Sequence, residues 1–328
     1  MLNAWTGQPY AQRLDPELAR LLERQKADGP KADRYAVPFP ESRRLLEEER
    51  KRTHLNRVPM HRIEDEEVTV NERLVHMRWY HASQGDARRT PIVYLHGGGW
   101  CVGSNVTHDT VLRHLARATQ APVCGVEYSL APEYPFPAAS EDVSAAVDHV
   151  LRQRMGSAAR APGQVILAGD SAGANLALVE AMRRRDQGQV SDIAALLLYY
   201  GCYAPCRDDG SFAAYGDGRF GLSRQAQERY LGAYLQVAPP HDWQVFPLGG
   251  NLCSLPPAYI LSAELDPLYD DSIELHQALL ESGVPSHLSV AKAMPHGFLN
   301  QANDLPAAAG EIDRSAAFVN ELVAQGGG

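Results

Sequence analysis

Two short runs carry residue types suited to chemistry on a carbonyl group. The first is His96-Gly97-Gly98-Gly99-Trp100 and the second is Gly169-Asp170-Ser171-Ala172-Gly173. In the second, a serine stands between two glycines, after the apolar run Val165-Ile166-Leu167-Ala168 and before a helix-like stretch from Asn175 to Arg185. A strand, a sharp turn and a helix are the context that lifts a serine hydroxyl above a sheet as a nucleophile, and glycine tolerates the crowding on either side of such a turn. The first run also follows an apolar strand, Ile92-Val93-Tyr94-Leu95. Consecutive glycines there can aim backbone N–H groups at an oxygen that becomes negative when a carbonyl is attacked. Either run alone is a weak signal; the two in this order, each after a strand, are a strong one.

A serine hydroxyl needs a base to act at neutral pH, usually a histidine held in one tautomer by a carboxylate. The turn context predicts the chain order serine, carboxylate, histidine. Downstream histidines are His241, His276, His287 and His296. His276 falls inside a predicted helix and His287 begins a predicted strand, whereas His296 follows the last strand in a Pro-His-Gly-Phe turn, where a loop can carry it over the sheet edge. Among carboxylates, Asp266 sits just past the apolar run Tyr259–Ala263 and before Pro267. Its competitors are Glu264, Asp270 and Asp271, the last two also suited to the first turn of the following helix.

The elements that must position these residues are legible as alternation. After Pro91, strands are expected near 92–95, 123–128, 165–168, 193–200, 258–262 and 287–290, and helices near 106–119, 139–154, 173–186, 270–282 and 307–323. Such alternation predicts a mostly parallel sheet covered on both faces. Val68 and Val70, then Leu74 to Tyr80, read as an antiparallel pair joined at Asn71-Glu72-Arg73. Ahead of them, Asp15-Pro16 opens a helix with leucines at 18, 21 and 22 that ends near Gly29-Pro30. A second helix runs from about Glu41 to His54, its mixed charges reading as a solvated face. Residues 203–245, with a helix from Ser223 to Leu235, exceed an ordinary crossover and read as an excursion above the sheet.

With these motifs in place, the chain resembles the hormone-sensitive-lipase-like branch of the α/β-hydrolase superfamily, the bacterial family IV carboxylesterases. The resemblance rests on the two glycine runs (the second extended by Ala174-Asn175), on Asp266-Pro267-Leu268, on His296-Gly297-Phe298, and on Tyr128-Ser129-Leu130-Ala131-Pro132-Glu133 followed by Phe136-Pro137-Ala138-Ala139. It covers residues 60–320. It implies an α/β-hydrolase fold with an eight-stranded, mostly parallel sheet and a helical cap. The division is a cap segment over 1–55, a catalytic domain over 56–202 and 246–328, and a cap insertion over 203–245. Ser171 is implied as nucleophile, His296 as general base and acid, Asp266 as its orienter, and the N–H groups of Gly98, Gly99 and Ala172 as the oxyanion hole. His96 and Glu133 are expected to brace loops. Two departures stand out: Ser129 occupies a position where the family usually has arginine, and Tyr199-Tyr200-Gly201-Cys202 replaces a Tyr-Pro near the pocket.

The expected reaction is hydrolysis of short-chain acyl or small aromatic esters through an acyl-enzyme. Amide, lactone or formamide hydrolysis on the same residues is the alternative, and a non-catalytic ligand-binding relative ranks below both. Trp100, Phe212, Tyr215 and Phe220 are candidate substrate-binding aromatics, with Tyr230 and Tyr234 as further aromatics that could line the pocket; all six could equally pack in the core. The glycine run lacks the spacing of a dinucleotide fingerprint and the lysine of a P-loop. No metal or cofactor is expected. Net charge is −9 over 328 residues, and no large basic patch suggests nucleic acid or an anionic membrane. Neither a signal-peptide core at Met1–Tyr10 nor an apolar run of spanning length is present, so a cytoplasmic protein is expected, with a homodimer as the candidate assembly. The five cysteines, Cys101, Cys124, Cys202, Cys206 and Cys253, read as thiols.

Overall fold

The computed structural model describes residues 13–27, 33–53, 56–86, 89–155, 164–236 and 242–326. His241, Met1–Tyr10 and the expected helix end at Gly29-Pro30 lie outside the described residues. Eight strands make one sheet: β1 (Arg62–Val70), β2 (Arg73–His81), β3 (Ile92–Leu95), β4 (Val123–Glu127), β5 (Val165–Asp170), β6 (Ile193–Tyr199), β7 (Ala258–Leu265) and β8 (Ser286–Pro295). Their order is β1-β2-β4-β3-β5-β6-β7-β8. β1 and β2 pair antiparallel, β2 joins β4 antiparallel, and every other neighbour is parallel.

The side chains explain this arrangement. β3 and β5 are buried at every position, as strands covered by helices on both faces must be. β1 is instead exposed except near Val68 and Val70, which suits an edge. Asn71 and Glu72 both take positive φ, 46° and 66°, the backbone hand of a two-residue hairpin turn.

Nine α-helices are described: α1 (Pro16–Ala27), α2 (Phe39–Thr53), α3 (Asp109–Thr119), α4 (Ala138–Met155), α5 (Ala172–Asp186), α6 (Gly210–Tyr215), α7 (Arg224–Tyr234), α8 (Tyr269–Glu281) and α9 (Pro306–Gly326). The Asp15 carboxylate accepts from the N–H groups of Glu17 and Leu18, so it caps α1, whose Leu18 and Leu21 are buried. α3 begins three residues later than the pattern suggested. The Ser104 and Thr107 hydroxyls bond locally across residues 104–107 and hold that turn out of the helix. α2 and α7 meet over the glycine run, where the Tyr230 ring lies 6.2 Å from Phe39 and 6.3 Å from Tyr35.

The strand ends matter most. β7 and β8 run past their expected limits of 262 and 290, and a register shift between Ala263 and Leu265 pairs Leu265 with Pro295. The two chains therefore leave the sheet side by side, one residue ahead of Asp266 and His296.

At the far side of β4, Ser129 stands without an arginine, yet the carboxylate of α4 that faces it is not stranded. Asp142 is fully buried, accepts the Ser129 N–H at 2.8 Å and pairs with the guanidinium of Arg73 from β2 at 2.8 Å. Arg73→Met leaves that carboxylate without its cation. We expect this to lower unfolding free energy by about 2–3 kcal/mol, read from the urea midpoint.

Candidate active site

Ser171 occupies the one-residue turn between β5 and α5 with φ 55° and ψ −122°, a conformation strained for a residue with a side chain. Gly169 and Gly173 make the turn possible. A Cβ on Gly169 would strike the backbone of Gly173, and one on Gly173 would strike the carbonyl of Leu95 on β3. The Ser171 N–H donates to Tyr199 O at 2.9 Å, which ties the turn to β6.

The Ser171 hydroxyl lies 3.0 Å from Nε2 of His296, and Nδ1 of His296 lies 2.7 Å from Oδ2 of Asp266. An ionised carboxylate only accepts, so Nδ1 carries the proton and Nε2 is left to accept from the serine. The second Asp266 oxygen accepts the Leu268 N–H at 2.9 Å, and the carboxylate is wholly buried. Burial lowers the His296 pKa, but the charge and hydrogen bond of Asp266 outweigh it, and the imidazole rests above the ordinary 6.5. The competing groups are engaged elsewhere. Glu264 holds Lys292 and the Ala293 N–H, Asp270 accepts from Ser211, and Asp271 accepts from Tyr203 and Ala204. His276 bonds Ser286, and His287 stacks on Tyr259.

Asp170, the residue before the serine, organises the glycine run. Its Oδ1 accepts the Tyr94 hydroxyl at 2.7 Å and the Gly97 N–H at 2.9 Å, with Nε2 of His108 at 3.3 Å. Burial pushes this carboxyl up, but His108, Tyr94 and the Gly97 N–H more than offset it and hold it at about 2. The Gly97 N–H is thereby taken. Gly98 and Gly99 follow with φ of 130° and 58°, and both line the cavity beside Ser171. Ala172 is the first residue of α5, so its N–H has no partner within the helix. His96 bonds the Gly97 carbonyl through Nδ1 and stacks on Tyr128, whose hydroxyl donates to the His96 carbonyl at 2.7 Å. Glu133 holds Arg43 of α2, and Arg43 also donates to the carbonyls of Cys101 and Ala131, strapping that helix to the glycine loop.

The cavity beside Ser171 is small, about 120 Å³. Of the six aromatics expected near it, Tyr230 is among its lining residues and Trp100, Phe212, Tyr215, Phe220 and Tyr234 are not. This corrects the sequence reading, and packing is the reason. Trp100 stacks on Tyr234 with ring centroids 4.6 Å apart, Tyr215 and Phe220 pack edge to face under Arg13, and Phe212 lies beneath Arg224. Beside Tyr230, the lining comes from Tyr35, Leu46, Leu222 and Gln227, together with Arg34 and Arg50. A signal for the α2 contribution was available. Phe39, Ser42, Arg43, Leu46 and Arg50 recur at helical spacing and make one inward face, although that face is largely polar. Tyr200, in the departure from Tyr-Pro, packs edge to face against His296 at 5.1 Å, and Tyr203 fills the place a side chain on Gly201 would need.

Comparison with known proteins agrees with this architecture. Residues 92–300 match the family model described as alpha/beta hydrolase fold. An acetyl esterase of Salmonella typhi is 35% identical over 230 residues, 69% of this chain and 71% of that protein. The esterase of Pyrobaculum calidifontis superposes with a TM-score of 0.85 at 29% identity, covering 94% of this chain and 99% of that one. EstE1, a thermophilic carboxylesterase cloned from a metagenomic library, gives a TM-score of 0.81 at 29% identity over 88% of this chain and 98% of that one. The chain belongs to the α/β-hydrolase superfamily, and within it to the hormone-sensitive-lipase-like family IV carboxylesterases. It is a hydrolase acting on ester bonds. Among the described residues, no helix is long and apolar enough to cross a membrane.

The close approach of α5 to β3 gives a direct test of the turn. Gly173→Ala forces the helix away from the Leu95 carbonyl, and we expect it to cost about 2 kcal/mol or more in thermal unfolding.

Proposed function

We propose that the protein is a serine carboxylesterase for small esters, with Ser171 as nucleophile, His296 as general base and acid, and Asp266 as the group that orients the imidazole. The observation that carries this reading is the continuous chain Ser171 Oγ, His296 Nε2, His296 Nδ1, Asp266 Oδ2 at 3.0 and 2.7 Å. As Ser171 Oγ attacks the ester carbonyl, its proton passes to Nε2 of His296. The carbonyl oxygen becomes negative and is met by the N–H groups of Gly98, Gly99 and Ala172. The Gly97 N–H is excluded from that role because Asp170 holds it. Collapse of the tetrahedral species breaks the bond to the alcohol, which leaves with the proton from His296. Water, deprotonated by the same imidazole, then adds to the acyl carbon, releases the carboxylic acid and restores the serine.

Several results would test this. Ser171→Ala and His296→Ala are each expected to lower kcat by on the order of 10³-fold or more, and Ser171→Ala to abolish labelling by a fluorophosphonate. Wild-type kcat from Ser171→Ala would sink the assignment. The elevated His296 pKa sets the pH dependence. The imidazole must be neutral to accept a proton, so kcat/KM should rise with pH through a transition above about 6.5 and fall away below it. Asp266→Asn removes the charge that raises that pKa and should move the transition to lower pH while reducing the plateau; an unmoved transition contradicts the role given to Asp266. The small cavity leads us to expect 4-nitrophenyl acetate to hexanoate to exceed the dodecanoate in kcat/KM. The names of the acetyl esterase relatives favour the short end of that series. Efficient turnover of emulsified long-chain triglyceride would contradict the preference.

A further inference from the structure

Two guanidinium groups face the same small cavity as Ser171 and His296. Arg34 comes from the turn ahead of α2. Its Nη2 donates to the Tyr35 hydroxyl at 2.8 Å and its Nη1 stands 3.5 Å from Glu49. Its Nε is buried without an acceptor among the described residues. Arg50 lies on the inward face of α2, one turn beyond Leu46, and is half-buried. Burial lowers its pKa, and the charge of Arg34 adds to that, against the pull of Glu49, Tyr200 and Asp170. Among the described residues, the carboxylates whose charge reaches Arg50 are Glu49 and Asp170. Asp170 is already satisfied by Tyr94, Gly97 and His108 on one oxygen.

A neutral short-chain ester offers a guanidinium only a carbonyl acceptor, whereas a carboxylate offers two oxygens and a full charge. Burial works against the charge of Arg34, but Tyr35, Tyr230 and Glu49 more than offset it, so a guanidinium stays charged at the wall of the cavity. The chain as a whole is acidic, at −9, so the placement runs against its average charge. Guanidinium groups are the side chains best matched to a carboxylate, since the planar fork offers paired N–H donors to two oxygens. Arg34, Arg50 and Ser171 line one cavity, so a group held by the arginines shares it with an ester carbonyl at Ser171.

We propose that Arg34 and Arg50 form an anion subsite, and that the preferred substrates are small esters carrying a carboxylate group. This rests on Ser171 being the nucleophile. The reaction is unchanged: the ester C–O bond breaks, water supplies its oxygen to the acyl group, and the carboxylate is a binding handle that takes no part in bond exchange. It can reside on either portion of the ester, and two pairs of probes separate the cases. Acetoxyacetate against ethyl acetate places the charge on the alcohol portion; methyl hydrogen glutarate against methyl butyrate places it on the acyl portion.

Hydrolysis is followed in a pH-stat at low ionic strength. The wild-type protein is expected to favour one charged ester over its neutral counterpart by about tenfold in kcat/KM, as one well-placed charge-assisted contact allows. That ratio should fall about tenfold in Arg50→Gln and in Arg34→Gln, chiefly through KM, and recover in part in Arg50→Lys. Added salt should reduce it in the wild type. A readout that needs no variant is inhibition: glutarate should compete with the neutral ester, and glutaramide should do so at least tenfold less well. The proposal is overturned if the neutral ester is preferred in the wild type, if the ratio is the same in the variants, or if glutarate and glutaramide inhibit alike. Fluorophosphonate labelling of the same preparations separates the two levels of failure. A protein that labels at Ser171 and turns over neutral esters without discrimination refutes the anion subsite alone. One that neither labels nor hydrolyses any of the four esters refutes the serine mechanism beneath it.

Discussion

The buried carboxylate of Asp170 is the constraint on which the site depends. It belongs to β5, yet it accepts from Tyr94 on β3 and from Gly97 in the glycine loop, and it faces His108 at the start of α3. A carboxylate removed from water must be repaid by such partners or become protonated. Because these partners lie on three different segments, satisfying it forces the turn with Ser171 and the loop with Gly98 and Gly99 into one relative position. Side-chain chemistry thereby does what strand pairing cannot, since β3 and β5 end before either loop begins. His96 completes the arrangement in its neutral form, because burial and the neighbouring His108 hold its pKa at about 3.

The second half of the site is placed by strand register. Asp266 and His296 are 30 residues apart in sequence, but each is the next residue after a paired position, Leu265 with Pro295. The irregularity after Ala263 makes that pairing possible, and a shift of one residue would turn the side chains to opposite faces. His296 then reaches back over the sheet to a serine whose own turn is held by β6. The strands β3, β5, β6, β7 and β8 thus act together as the template that holds the site.

What could be read from the sequence divides along this line. The glycine runs, the Asp15 cap and the hairpin turn at Asn71-Glu72-Arg73, which the structure narrows to Asn71 and Glu72, are legible because each reflects a local backbone need. The pairing of Asp266 with His296 was legible only as chain order and proximity to strand ends; the register that brings them together leaves no local trace. The aromatics divide, Tyr230 reaching the cavity and Trp100 not, since whether Trp100 faces a pocket or stacks on Tyr234 is decided by a helix more than a hundred residues away. The mixed charges of α2 predict a solvated face, and in part it is one, for Arg44 pairs with Glu41 and Glu48 on the exposed side. Its other face carries Arg43 and Arg50 inward, and a polar inward face has no hydrophobic pattern to announce it.

That inward face couples two properties that are usually separable. Arg43 ties α2 to the Cys101 and Ala131 carbonyls and to Glu133, which fixes the rotation of the helix about its axis. Arg50 lies seven residues further on, two turns along the same stripe, so the rotation that satisfies Arg43 necessarily brings Arg50 to the cavity. A slip of one residue would swing both by about 100° and expose them together. Leu46 between them is buried and adds the apolar contact that holds the helix down. The anchor that braces the glycine loop therefore also sets the charge of the pocket, and a change in α2 that moved one would move the other.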